Sequence, residues 1–184
     1  MTTDGSVLSV NVGRRTPVAG QPGAPVSGID KRPTTSISVR DPGDRSTGVG
    51  SGVVDDAIVD RVHHGGERQA VYAVARSELD YWQQELGRTL DCGAFGENLT
   101  TTGIDLDELT IGTMLSVGGT QVLGGEGAAA SKDADNTERP VMLEVCGPRV
   151  PCATFSAHMG ERGWVKAFTA RGRPGAYLAV RGAG

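Results

Sequence analysis

Apolar and polar positions alternate at several points along the chain, and this period of two is the first structural signal. Leu8, Val10 and Val12 alternate with Ser9 and Asn11, which predicts a half-buried strand over 6–12. Ile37 and Val39 predict another over 35–40, and Ala57 to Val62 reads as a third. Ala70-Val-Tyr-Ala-Val74 is rich in β-branched and aromatic residues and reads as a strand, although a helix could also hold it. Met114 to Val117, Val141 to Cys146 and Gly175 to Arg181 complete the strand pattern. Helical spacing is rarer. Ser77-Glu-Leu-Asp80 has the form of an N-cap with acidic residues in the first turn, leading into Leu79, Trp82 and Leu86 before Gly87 ends the helix. A helical stretch follows Cys152, and Trp164 and Phe168, at i and i+4, share one helix face until Gly172 stops it.

Between these elements lie long stretches of turn formers. Residues 13–28 carry Gly13, Pro17, Gly20, Pro22, Gly23, Pro25 and Gly28, so this segment is a loop that delivers Gly28-Ile-Asp-Lys-Arg-Pro33. A second glycine-rich loop spans 41–52, and Phe95 to Gly103 is polar and turn-like. Loops of that length are uncommon unless they are functional or disordered. From Gly118 to Pro140 the chain becomes low in complexity and poor in apolar residues, which predicts a mobile insert over 119–140 joining two strands. No internal repeat shows.

Composition adds limits. The chain has 184 residues, enough for one domain spanning 1–184 but short for two independent ones. Its 28 glycines and 9 prolines favour short elements separated by turns, hence a strand-rich fold. A formal charge of −4 and a pI near 5.4 argue against polymeric nucleic acid as a partner. No basic segment followed by an apolar stretch opens the chain, and nowhere do about 18 apolar residues run together, so the expectation is a cytoplasmic protein away from membranes. Cys92, Cys146 and Cys152 are odd in number and lack Cys-x-x-Cys spacing, which points to reduced thiols. Arginine outnumbers lysine heavily, a weak sign of a GC-rich bacterial genome.

Among residues that could carry chemistry, Cys152 stands first. A lone cysteine is usually an inert buried hydrophobe, and Cys92 and Cys146 read that way. Cys152 differs because Pro148 and Pro151 stiffen its approach and Arg149 could stabilise its thiolate, the form that binds metals and attacks electrophiles. His63 and His64 look like a metal pair, but adjacent side chains on an extended strand point to opposite faces, and a polar turn explains them equally well. Gly65 and Gly66 would let backbone approach a ligand closely. Lys31 and Arg32 could bind a phosphate or a pterin, or simply form a solvated turn. Glu97 and Asn98 offer hydrogen-bonding groups among glycines, and His158 is most simply a partly buried histidine. The chain lacks a Gly-x-x-x-x-Gly-Lys-Ser/Thr phosphate loop, a Gly-x-Gly-x-x-Gly run and a Gly-x-Ser-x-Gly elbow. Pro151-Cys152 is not followed by the second cysteine of a zinc deaminase, since Phe155 stands there.

In this order, Gly28-Ile-Asp-Lys-Arg-Pro33, His63-His-Gly-Gly66, Ala70-Val-Tyr-Ala73, Phe95-Gly-Glu-Asn-Leu-Thr100 and Pro148-Arg-Val-Pro-Cys152 resemble the MOSC domain family. The nearest branch looks like the stand-alone bacterial proteins of the 6-N-hydroxylaminopurine resistance type. The resemblance implies a mainly β fold with peripheral helices, closed into a β-barrel of the pyruvate-kinase-barrel type, with the molybdenum cofactor (molybdopterin) in a cleft. Cys152 would be both the catalytic residue and the molybdenum ligand, in keeping with the affinity of soft centres for thiolate. Lys31, Arg32, His63, His64, Gly65, Gly66, Glu97, Asn98 and Arg149 would belong to the cofactor-binding loops. The implied activity is reduction of small N-hydroxylated compounds, such as N-hydroxylated base analogues, with electrons from a separate reductase. The alternative is a carrier of the cofactor or of sulfur without turnover. Pyridoxal phosphate, associated with the family through attached sulfurase domains, is not expected in this chain. The insert departs from the family pattern, as does the short C-terminus, where relatives of this branch continue into a helical extension. Oligomeric state stays open, with a homodimer as one option.

Overall fold

The computed structural model describes residues 4–20, 22–118 and 140–182. The chain opens with β1 (Ser6–Gly13), a small ladder of β2 (Thr16–Pro17) and β3 (Val26–Ser27), and β4 (Lys31–Thr34). A long irregular segment then leads to β5 (Val71–Ala75), α1 (Arg76–Leu86), β6 (Leu99–Thr102) and β7 (Met114–Val117). After the insert come β8 (Val141–Pro148), α2 (Ala153–Met159), α3 (Trp164–Arg171) and β9 (Ala176–Gly182). The insert expected over 119–140 lies, apart from Pro140, outside the described residues.

Seven strands form one mixed sheet in the order β4-β1-β6-β5-β9-β8-β7. Only β5 and β6 run parallel, because α1 carries the chain back between them in a β-α-β crossover. Strand β5 is buried along its whole length, as befits a central strand covered on both faces. Its alternation divides the core in two. Val71 and Ala73 join Leu143, Val145, Leu178 and Val180 on one face. Tyr72 and Val74 face Leu79, Trp82, Phe155, Trp164 and Phe168, which the helices bring to the other. Trp164 and Phe168 share a face as their spacing predicts, with ring centroids 5.5 Å apart.

The sheet is open, and this corrects the closed barrel expected from the family resemblance. The order ends on β4 and β7, which share no ladder among the described residues. The expected strands over 35–40 and 57–62 do not form. Ile37 and Val39 pack on the sheet's core, but the segment holds a single isolated bridge, Val39 to Val53. Alternation there reports burial, not pairing. In the second stretch the Asp60 carboxylate accepts the backbone N–H groups of Val62 and His63 at 3.1 and 3.2 Å, which turns the chain. Conversely, polar Lys31–Thr34 is a strand, paired with Gly13 to Val10. Pro33 is tolerated because β4 lies at the sheet edge and needs no donor on its outer side.

Helix α1 begins at Arg76, capped by Ala75 without a side-chain bond, so Ser77 sits inside the first turn and is not the cap. Arg76 ties that turn to Asp80, Nε to Oδ1 2.8 Å, and to the Leu90 carbonyl at 2.9 Å. Gly87 ends the helix as expected, at φ 62°.

Candidate functional site

The helix-side face of β5 and β9 opens into a cleft walled by the segment around Gly28–Lys31, the irregular stretch 57–65 and the start of α2. Two polar groupings meet there, and they differ in how completely their atoms are used.

The first is centred on Asp56, whose side chain is 1 % exposed. One of its oxygens takes the Lys31 ammonium and the Gly13 N–H (2.8 Å). The other takes the Ser51 hydroxyl (2.9 Å) and the Asn98 amide (3.2 Å). Asn98 spends its remaining donor on the Asn11 carbonyl (3.2 Å) and accepts the Tyr72 N–H (3.3 Å). Behind it Glu97, fully buried, accepts Gly93 N–H at 2.6 Å, Phe95 N–H at 3.0 Å and the Thr100 hydroxyl at 2.9 Å. Burial pushes the Glu97 carboxyl upward against those bonds, and burial likewise lowers Lys31 against the attraction of Asp56. These residues knit β1, the 51–56 segment and the 93–98 loop into one frame.

The second grouping contains Cys152. Pro148 closes β8, and directly after Pro151 the chain places Cys152 at the N-cap of α2 in an extended conformation, φ −118° and ψ 172°. Burial pushes its thiol up, but the His64 imidazole, the Phe155 amide and the positive charge of Arg149 outweigh burial and bring it down to about 7. Arg149 is itself buried. Its guanidinium lies 3.9 Å from the Phe155 ring centroid and 4.8 Å from that of Tyr72, and it donates to the Phe95 carbonyl. Its Nε has no partner among the described residues.

Of the residues singled out in the sequence, Lys31, His64, Gly65, Asn98, Arg149 and Cys152 line this one cleft. The others lie elsewhere. Arg32 is exposed and paired with Asp30 at 3.0 Å, and His63 is exposed and bonded to Asp60 at 2.9 Å. Only one of the adjacent histidines faces the cleft. Glu97 organises the loop behind it. Gly65 and Gly66 have φ of 82° and 80°, and a Cβ on them would fall 2.6 Å from the Gly50 carbonyl and 2.8 Å from Arg45, so their bareness admits the neighbouring loop. Sequence reading missed Asp56, Ser51, Tyr72 and Tyr177, all at or beside the cleft. Asp56 gave no signal, being one of two adjacent aspartates between the loop expected over 41–52 and the strand expected over 57–62. Tyr177 was visible only as a position in an alternating strand.

The MOSC domain family profile matches residues 60–184, and the chain belongs to that family, which is associated with molybdenum cofactor binding. Lys31 and Ser51 line the cleft from before the matched span, with Asp56 buried behind them. The chain is 27% identical over 175 residues to the uncharacterized protein YflK of Bacillus subtilis (strain 168), covering 95% of this chain and 66% of YflK. It therefore spans about two thirds of that relative's length. Its fold is similar to that of YiiM from Geobacillus stearothermophilus, with TM-score 0.64 and 22% identity, covering 98% of this chain and 70% of YiiM. It is similar as well to YiiM from Escherichia coli (TM-score 0.56, 16% identity, 95% and 64% covered). YuaD from Bacillus subtilis shares the fold at TM-score 0.53 and 13% identity, with 98% and 92% covered. Among the described residues no helix is long and apolar enough to cross a membrane.

Proposed function

We propose that the cleft binds the molybdenum cofactor through Cys152 and that the protein reduces small N-hydroxylated compounds with electrons supplied by a separate reductase. The observation that carries this reading is the convergence of a thiol held near neutral ionisation with His64 and Arg149 in a cleft of a MOSC domain. The donor set fits the group. A thiolate suits a soft metal centre, and the unpartnered Nε of Arg149 leaves a buried donor for an anionic ligand. Among the described residues no three His, Cys, Asp or Glu side chains gather as a ready-made metal cage, so most ligands of a metal at Cys152 would come from the cofactor and solvent.

When bound, the cofactor would supply the two-electron chemistry that removes oxygen from nitrogen. The chain's own residues do the rest. Cys152 anchors, with its thiolate favoured by His64 and Arg149. Arg149, clamped over two rings, holds positive charge beside the thiol. Lys31 contributes less charge than its sequence suggests, since Asp56 already neutralises it. Its role is to hold the wall.

The test is molybdenum per chain in protein purified from a host that makes the cofactor. Wild type should hold it and Cys152→Ser should lose most of it. A metal-free wild type, or equal metal in both, sinks the reading. Metal without reduction of an N-hydroxylated substrate by an artificial donor would leave cofactor carriage as the function.

A further inference from the structure

The cleft has an aromatic side formed by Tyr72 and Tyr177, which sit opposite each other in the register of β5 and β9 with ring centroids 5.2 Å apart. Their hydroxyls differ. That of Tyr72 is spent on the Pro174 carbonyl at 2.6 Å. That of Tyr177 has no partner among the described residues, although the ring is half-buried and close enough to Cys152 and Arg149 for their charges to act on it. Ile29, Ile58 and Val59 also line the cleft and bring no side-chain donor of their own. A phenol that lines a cleft beside the thiol, fixed by a strand and a neighbouring ring tilted at 44° and without a protein partner, is a hydrogen-bond donor prepared for a ligand.

We propose that Tyr177 selects for ligands bearing an oxygen next to nitrogen, by donating its hydroxyl hydrogen bond to the N–O oxygen of a molecule bound in the cleft beside Cys152. This rests on the functional reading above and deepens it by naming the group that tells an N-hydroxylated compound from its reduced product. A phenol is protonated at neutral pH, so the Tyr177 hydroxyl is a donor there. A donor that the bound ligand shuts off from water discriminates by being left unpaired when the oxygen is missing. This hydrogen bond therefore favours an amidoxime over its amidine, and the substrate over the product.

The experiment measures binding of benzamidoxime and benzamidine by calorimetry to the wild-type protein and to Tyr177→Phe, together with molybdenum content. Benzamidine is a cation at neutral pH and benzamidoxime is neutral, so the quantity read is the change in their affinity ratio between the two proteins. Tyr177→Phe, which keeps the ring against Tyr72, should shift that ratio about tenfold against the amidoxime, as expected for one hydrogen bond, while holding as much metal as wild type. An affinity ratio that is the same in wild type and Tyr177→Phe overturns the proposal. A wild type without molybdenum would instead defeat the functional reading, and the two failures are read separately. Fluorotyrosine labelling supplies a second measure on unmutated protein: of 3 tyrosine resonances, that of Tyr177 should move with the amidoxime and stay with the amidine. An unmoved Tyr177 resonance overturns the proposal as well.

Discussion

The two polar groupings of the cleft share a wall and teach opposite lessons. Around Asp56, carboxylate, ammonium, amide and hydroxyl satisfy one another, with Lys31 6 % and Asp56 1 % exposed. Around Cys152, the thiol, the Arg149 Nε and the Tyr177 hydroxyl are left with capacity to spare. Buried polar groups that bond only each other fix a shape. Groups held in place but incompletely paired are available to a ligand. The Asp56 grouping is thus a frame, and the proposed function makes the Cys152 grouping the surface that meets the ligand, although both were built from residues that looked alike in the sequence.

Removing Asp56 should give the largest effect on stability. Asp56→Ala leaves the Lys31 ammonium buried without its partner, which costs about 3–5 kcal/mol in urea denaturation. That penalty should shrink as pH rises toward the ordinary lysine value of 10.5. The unfolded chain still binds the proton that folded Lys31 gives up, so stability climbs with pH. A pH-independent loss would mean that Lys31 finds another partner. Glu97→Gln should come next. It replaces an acceptor by a donor facing backbone N–H groups and should cost about 1–3 kcal/mol, read as a lower urea midpoint at unchanged slope.

On the other side of the comparison the effects are on reactivity. In metal-free protein, iodoacetamide should alkylate Cys152 with a rate that rises with pH and is half-maximal at about 7, after subtraction of the Cys152→Ser background. The direction of linkage follows from the lowered thiol: the thiolate's contribution to stability is complete above the ordinary value of 9.0 and is lost as pH falls through about 7. His64→Ala should move the alkylation midpoint upward with little change in the urea midpoint. If stability falls as far as in Asp56→Ala, His64 belongs to the frame. The smallest effects should come from Arg32→Ala and His63→Ala, each within about 0.5 kcal/mol, because both side chains are exposed in solvent-screened pairs. A fall in molybdenum content in either would return that residue to the site.

How much was legible can be followed residue by residue. Period and punctuation gave β1, β5, β7, β8, β9 and the ends of the helices at Gly87 and Gly172, because local burial and αL glycines leave direct marks in the sequence. They failed where an apolar side chain is buried by a loop, as at Ile37 and Val39, and where a strand is polar, as at the edge in Lys31–Thr34 and inside the sheet in Leu99–Thr102, which the sequence marks as turn-like. The MOSC motifs identified the family correctly, and the chain's own structure then departed from the closed barrel that they implied. In the site, motif order brought forward Lys31, His64, Asn98, Arg149 and Cys152 but could not separate them from Arg32, His63 and Glu97.

By itself the sequence determined the family, the strand-rich class and the prominence of Cys152, because these follow from residue type, spacing and order. Only the tertiary structure decided which polar groups neutralise each other. Whether Lys31 is a free cation or the partner of Asp56, and whether a tyrosine hydroxyl is tied like that of Tyr72 or open like that of Tyr177, depends on contacts between residues far apart in the chain. Hydrogen bonds and ion pairs act over a few ångströms in space, and distance along the sequence carries no record of them.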